Sequence, residues 1–261
     1  MEFKEKVVLI VGASSGIGRA ISLKLAAAGA TVVVTARRKD KLDDLAEEIT
    51  RKGGRCLALA ADALDEKAAA KVVTTTVDKF GRIDLALLNA GGAPAIDMRK
   101  MNAAEVKHYM QTNYDVIVNY LFPVLEQMKL QRGGLVAHTN SLAGFLGIPM
   151  QGPYSAAKGA ARLLFDTCRL EFAEYGIKFT SLYPGFVATE VTKNDGMPAP
   201  LEISEEKCAD YMLFALRKEK ADYLFPLNMR LLVRLALLLP KSWVNKLLQG
   251  DVKPISDDGG K

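Results

Sequence analysis

The sequence predicts a doubly wound α/β fold, a buried parallel sheet with helices on both faces. Three observations predict it. Short apolar runs rich in β-branched residues alternate with longer helical patterns, the mark of repeated βαβ units. Gly29, Gly53, Gly81, Gly133 and Gly176 stand at the exits of those helical patterns. A glycine-rich turn joins the first apolar run to the first helix. At 261 residues, 49% hydrophobic and 7% aromatic, the chain has ordinary globular composition and is expected to close as one domain, 1–261.

In order, strands are expected at 7–11, 31–35, 56–60, 85–88, 135–139 and 178–183. Each is a continuous or near-continuous apolar segment, as burial on both faces requires. Helices are expected at 17–28, 39–52, 66–80, 103–128 and 154–175. Beyond Tyr183 the pattern loosens, and 190–223 reads as a substrate loop region with Pro184, Pro198 and Pro200 framing a flexible loop around 194–197. The low-complexity tail 256–261 is expected to be mobile.

Lys and Arg number 35 against 30 Asp and Glu, a formal charge of +5. A nucleic-acid surface would gather that excess into one patch. Most of the chain disperses it, so no nucleic-acid partner is expected. Cys56, Cys168 and Cys208 are far apart and odd in number, which gives neither a disulfide framework nor a metal site and fits a reducing, cytoplasmic setting. The N-terminal run lacks the pattern of a secretory leader, and no stretch reaches the roughly 18 apolar residues of a membrane span.

The turn Gly12-Ala-Ser14-Ser15-Gly16-Ile17-Gly18 lies between strand and helix, where glycines permit a tight turn and a helix N-terminus faces an anion. Its G-x-x-x-G-x-G spacing differs from the commoner G-x-G-x-x-G. Further on come Asn89-Ala90-Gly91 after the fourth strand, Asn113 in the long helix, and Ser141 after the fifth strand. Tyr154-Ser-Ala-Ala-Lys158 opens the next helix, and Pro184-Gly185 follows the sixth strand with Thr189 beyond. Over roughly residues 5 to 192 this order and spacing resembles the short-chain dehydrogenase/reductase family, in its NADP-preferring form. One departure is Leu88, where the family usually has a first asparagine before Asn89.

The resemblance implies a Rossmann fold and a nicotinamide cofactor. Ala36 stands where NAD-selective members carry aspartate, and Arg37 and Arg38 beside it offer charged forks to the additional phosphate of NADP(H). By the same carry-over Ser14 partners that phosphate, Asp62 and Ala63 lie near the adenine, Asn89 serves the adenosine half, and Val187 and Thr189 meet the nicotinamide amide.

Tyr154 and Lys158 are four residues apart on a helix, about 5 to 6 Å at Cβ. An adjacent ammonium is expected to lower the phenol's pKa. In the family the same lysine holds the nicotinamide ribose, the serine matching Ser141 binds the substrate carbonyl oxygen, and the asparagine matching Asn113 holds a relay water. Tyr154 is then the general acid in reduction and the base in oxidation. His108 and His138 have no role in this scheme, and no G-x-S-x-G elbow suggests a hydrolase.

Residues 224–249 depart from the family's usual end. They are strongly aliphatic, with Arg230, Arg234, Lys241 and Lys246 as their only charges and Trp243 among them. Two readings stay open: a face packed on the protein, or peripheral contact with a membrane surface. Either gives a greasy substrate entrance. The expected activity is NADPH-dependent reduction of a bulky or lipophilic ketone or aldehyde (steroid-like, long-chain acyl or sphingoid-type). The rival is an NADPH-binding regulatory or scaffold protein without turnover. The resemblance also implies a homodimer or homotetramer that pairs helices 103–128 and 154–175.

Overall fold

Every residue of β1 (Val7–Val11) is buried, because each neighbour in the sheet is another strand and both faces are covered by helices. The computed structural model describes residues 1–92, 94–189, 199 and 201–249. The chain continues through α1 (Gly16–Ala27), β2 (Thr31–Ala36), α2 (Lys39–Arg51), β3 (Arg55–Ala60), α3 (Glu66–Phe80) and β4 (Leu85–Leu88). Next come α4 (Ala103–Met110), α5 (Val116–Gln131), β5 (Gly134–Thr139), α6 (Gly152–Glu171) and β6 (Ile177–Pro184). A short parallel pair, β7 (Val187–Ala188) and β8 (Ile203–Ser204), precedes α7 (Glu205–Arg217), β9 (Asp222–Phe225), α8 (Leu227–Leu238) and α9 (Lys241–Gln249).

The main sheet is parallel and runs β3-β2-β1-β4-β5-β6-β9. Side chains alternate across it. Val8 and Ile10 pack with Ile21 and Leu25 of α1, Leu42 and Leu45 of α2, and Met212 of α7. Val7, Leu9 and Val11 pack on the other face with Val72 of α3, Tyr120 and Val124 of α5, and Phe165 of α6. In α2 the only buried residues are Leu42, Leu45 and Ile49, one stripe at helical spacing. Asp65 caps α3 by accepting the Ala68 N–H at 3.0 Å, and Gly81 closes that helix in the left-handed region.

The six expected strands are present, and a seventh, β9, adds to the edge by pairing Ser181–Pro184 with Asp222–Phe225. The aliphatic C-terminal segment therefore begins inside a strand, at Leu224 and Phe225. The helix expected over 103–128 is interrupted: a π-helical turn, Gln111–Asp115, joins α4 to α5. The helix expected to reach 175 ends at Glu171, followed by a 3-10 turn, Ala173–Tyr175. The region 190–223 is not a loop throughout. Cys208, Ala209, Met212, Ala215 and Leu216 recur at helical spacing and bury α7 in the core cluster that contains α1. The loop expected around 194–197 and the tail 256–261 lie outside the described residues.

Of the two readings for 224–249, packing holds for one stripe. Met229 and Val233 of α8 join Leu142, Tyr183 and Leu224 in a small apolar cluster. Among the described residues no helix is long and apolar enough to cross a membrane.

Candidate active site

A cleft of about 1250 Å³ crosses the carboxyl ends of the strands, where the sheet order turns back from β1 to β4. That is where open α/β sheets hold ligands. Its lining runs from Arg37, Arg38 and Asp62 at one end to Ser141, Tyr154 and Pro184 at the other.

The turn after β1 is built by close approach. A Cβ on Gly12 would stand 2.8 Å from the Ala90 backbone N, and one on Gly18 would stand 2.0 Å from the Gly12 carbonyl oxygen. Only glycine lets the turn, the start of α1 and the end of β4 meet here. Ser15, the N-cap of α1, makes no side-chain cap bond, and the first turn carries no acidic residue, so the helix presents unclaimed N–H groups and its positive end to the cleft. Ser14, Ser15, Gly16 and Ile17 line it there.

Arg38 extends over this turn. Its guanidinium donates to Ser14 Oγ at 3.0 Å and to Ser15 Oγ at 2.5 Å. Arg37 is exposed, lines the same end, and makes no side-chain hydrogen bond among the described residues. Ala36 ends β2 without a carboxylate. Asp62 and Ala63 follow β3 and face this end, with Asp62 Oδ1 accepting the Leu64 N–H at 3.0 Å.

Asn89 lies where expected, but its side chain is committed to the protein. Its amide donates to the Gly12 carbonyl at 3.2 Å, and its oxygen accepts from Thr139 Oγ1 at 2.7 Å. It staples three strand ends together, and Asn89, Ala90 and Gly91 line the cleft.

Asn113 sits on the π-helical turn, a local widening that such helices often carry at functional sites. Its Oδ1 accepts the Gly92 N–H at 3.0 Å, and its Nδ2 donates to the Tyr109 carbonyl at 3.2 Å. These bonds make it a clamp on the Gly91–Gly92 backbone. Asn113 is 1% exposed and is not among the residues that line the cleft, so it stands behind the Gly91–Gly92 backbone rather than in the cleft wall.

β5 delivers Ser141 to the cleft, and the start of α6 delivers Tyr154 and Lys158. Ser141 Oγ accepts the Ala143 N–H at 3.1 Å and is hydrogen-bonded to the Tyr154 phenol. Lys158 is buried, with Nζ 5.5 Å from the centre of the Tyr154 ring. Its ammonium donates to the Thr139 carbonyl at 2.8 Å. The expectation that Lys158 lowers the Tyr154 pKa is corrected by this geometry. Burial dominates and pushes the phenol up to about 12, with the Ser141 bond opposing it. Burial also pulls Lys158 down to about 8. The phenol is thus held protonated.

Sequence reasoning missed Asn140. Its Oδ1 accepts the Ser141 N–H at 2.8 Å and its Nδ2 donates to the Lys158 carbonyl at 3.0 Å, tying strand end to helix. Its only signal is its place between a strand and a candidate serine. Pro184 and Gly185 border the same end, and Gly185 N–H donates to the Phe225 carbonyl at 2.9 Å. Val187 and Thr189 also line it. His138 is structural: fully buried, stacked on Phe165 and bonded to Ser181 at 2.9 Å. His108 is exposed at the cleft rim.

The long cleft, the glycine cradle, the open helix N-terminus and the paired arginines fit an elongated, phosphate-bearing dinucleotide.

Known proteins agree with this layout. A 3-oxoacyl-[acyl-carrier-protein] reductase of Synechocystis sp. is 34% identical over 190 residues, covering 72% of this chain and 77% of that one. An alcohol dehydrogenase of the archaeon Thermococcus sibiricus, solved with 5-hydroxy-NADP, superposes with a TM-score of 0.76 at 25% identity, covering 85% of this chain and 96% of that one. A 7α-hydroxysteroid dehydrogenase solved with NADH and 7-oxo glycochenodeoxycholic acid shares the fold, with a TM-score of 0.79 at 23% identity over 85% of this chain and 93% of that one. The family profile described as short chain dehydrogenase matches residues 6–198, which hold the glycine cradle and the Ser141, Tyr154 and Lys158 cluster. On that match, which spans well over half its length, the chain belongs to the short-chain dehydrogenase family of oxidoreductases.

Proposed function

We propose that this oxidoreductase is an NADPH-dependent carbonyl reductase, running in reverse as an alcohol dehydrogenase, for a bulky or lipophilic ketone or aldehyde. The observation that carries the reading is the convergence of Ser141, Tyr154 and Lys158 at one end of a cleft whose other end bears Arg37 and Arg38 and no acid at Ala36. The name of the Synechocystis relative, a 3-oxoacyl-[acyl-carrier-protein] reductase, and the NADP compound in the Thermococcus structure support it.

The bound reduced nicotinamide supplies the hydride. The protein's part is positioning and proton transfer. Ser141 Oγ–H donates to the substrate carbonyl oxygen, where negative charge develops. Tyr154 delivers a proton to that same oxygen, and its burial keeps the phenol protonated until then. Lys158 reaches the nicotinamide ribose, and Asn113 clamps the Gly92 N–H and holds a water with its remaining lone pair. Gly12, Ser14, Ser15, Gly16, Ile17 and Gly18 cradle the phosphates. Arg37, Arg38 and Ser14 take the additional phosphate, Asp62 and Ala63 flank the adenine, and Asn89 and Ala90 contribute backbone. Pro184, Gly185, Val187 and Thr189 border the nicotinamide.

Leu142, Ile148, Met150, Met229, Val233 and Leu248 line the substrate end, which supports an apolar substrate. Phe122 on α5 and Leu163 and Leu170 on α6 are exposed, which supports a homodimer or homotetramer formed through these helices. The setting is cytoplasmic, with 224–249 in contact with a membrane surface. NADPH oxidation against straight-chain ketones of increasing length, steroidal ketones and small sugars tests the substrate reading. Catalytic efficiency should rise with apolar surface; sugars outpacing long-chain and polycyclic ketones would overturn it.

A further inference from the structure

Helices α8 and α9 carry an apolar face that stays exposed among the described residues. Met229, Val233 and Val244 turn inward, whereas Leu227, Leu231, Leu238 and Trp243 stand 61%, 56%, 83% and 62% exposed. At 3.6 residues per turn, 227, 231 and 238 share the side of α8 opposite Met229 and Val233. Leu232 and Leu247 are exposed and also line the cleft, so the mouth of the cleft opens inside this patch. Arg230, Arg234, Lys241 and Lys246 are the only charges between 224 and 249, and none makes an ion pair among the described residues.

We propose that this face docks on an anionic lipid bilayer with the cleft mouth turned toward the acyl chains, so that substrate passes from the bilayer into the cleft without crossing water. The proposal builds on the reading of a lipophilic substrate. The charge pattern selects the occupant. Lys241, Lys246 and Arg234 are exposed, although Arg234 also borders a small pocket with Asp166 and Asp222, and the segment 224–249 itself carries no carboxylate; this cationic edge matches a surface of anionic headgroups. A second copy docking through the same patch about a two-fold axis would set cations against cations. Arg and Lys stems can lie along the leucines while their charges reach the headgroups, and an indole suits that depth.

Trp243 is the only tryptophan in the chain, so its emission reports on this face alone. The full chain is mixed with phosphatidylcholine vesicles with or without phosphatidylglycerol. The expected result is a blue shift of Trp243 emission and co-flotation with the anionic vesicles, about tenfold weaker on neutral ones and weakened by high salt. Leu231→Glu with Leu238→Glu, both outside the cleft lining, should abolish co-flotation while turnover of a short, water-soluble carbonyl is unchanged. Arg234→Glu with Lys241→Glu gives the same test through charge should the leucine variant fold poorly.

Absence of co-flotation with either vesicle overturns the docking. So does a blue shift that follows protein concentration without vesicles, which would identify a second copy as the occupant. Failed docking with retained turnover of long-chain carbonyls in soluble form overturns this inference alone and leaves the substrate reading standing. Vesicle binding without turnover of any lipophilic carbonyl overturns the substrate reading, and with it the passage of substrate from the bilayer.

Discussion

Arg38→Ala should separate NADPH binding from NADH binding. In the structure the Arg38 guanidinium lies over the Gly12–Gly18 turn, 3.0 Å from Ser14 Oγ and 2.5 Å from Ser15 Oγ. A phosphate on the adenosine ribose beside Ala36 would meet this fork and the exposed Arg37. Hydrogen bonds to charged groups contribute about 1.5–3 kcal/mol, and fully exposed ion pairs about 0–1 kcal/mol. Arg38 is exposed but would be partly covered by bound nucleotide, so about 1.5 kcal/mol is expected, near tenfold in Kd. Replacing Arg37 and Arg38 together should weaken NADPH by about 100-fold if the two act independently. NADH, which lacks the phosphate, should change by less than about threefold. The assay is titration of each nucleotide, followed by its own fluorescence at about 0.1 M salt, where the Debye length is about 10 Å. Equal weakening of NADPH and NADH, or no change in either, would refute the assignment.

The remaining predictions concern the staple, the buried lysine and the buried histidine. Asn89→Ala leaves the Gly12 carbonyl and Thr139 hydroxyl without their partner and should cost about 1–3 kcal/mol, read as a lower urea midpoint. An unchanged midpoint would mean the staple contributes nothing. Lys158 titrates near pH 8 in the folded protein and at its ordinary 10.5 when unfolded, so the unfolded chain binds more protons between these values. Stability contributed by this group should therefore rise from pH 8 to pH 10 by about 1.4 kcal/mol per unit, and Lys158→Met should flatten that rise. His138, pulled well below 6.5 by burial, works in the same sense at lower pH: stability is lost as pH falls through 6.5 because only the unfolded chain gains its proton readily. His138→Gln should reduce that acid sensitivity.

The parts of the fold that were readable from sequence are those where one physical demand dominates. Val7–Val11 and Leu85–Leu88 are buried on both faces and so apolar throughout. The glycines of the first turn are required by backbone approach, which spacing reveals. β9 escaped notice because it is a four-residue edge strand whose Tyr-Leu-Phe merges into the leucine-rich helix after it. The π-helical turn at Gln111–Asp115 keeps a helical pattern on both sides, so periodicity does not announce it. α7 was concealed by its charged first turn and by the prolines ahead of it. In the site, the spacing of Tyr154 and Lys158 gave their proximity but not the direction of Nζ, which turns to the Thr139 carbonyl. Burial, a tertiary property, then decides the phenol's pKa. Arg38, the N-cap of α2, rather than Arg37 bonds the turn, a choice between neighbouring arginines that spacing does not reveal.

The central claim is that Tyr154 supplies the proton in carbonyl reduction. Its most direct test is single-turnover NADPH oxidation by Tyr154→Phe, with NADPH affinity measured on the same sample. The ring and its packing remain while the O–H is lost, so affinity should stay within about threefold and the rate should fall by at least about 100-fold, the usual scale of general acid catalysis. An undiminished rate with intact NADPH binding would contradict the assignment and take the proton from another group.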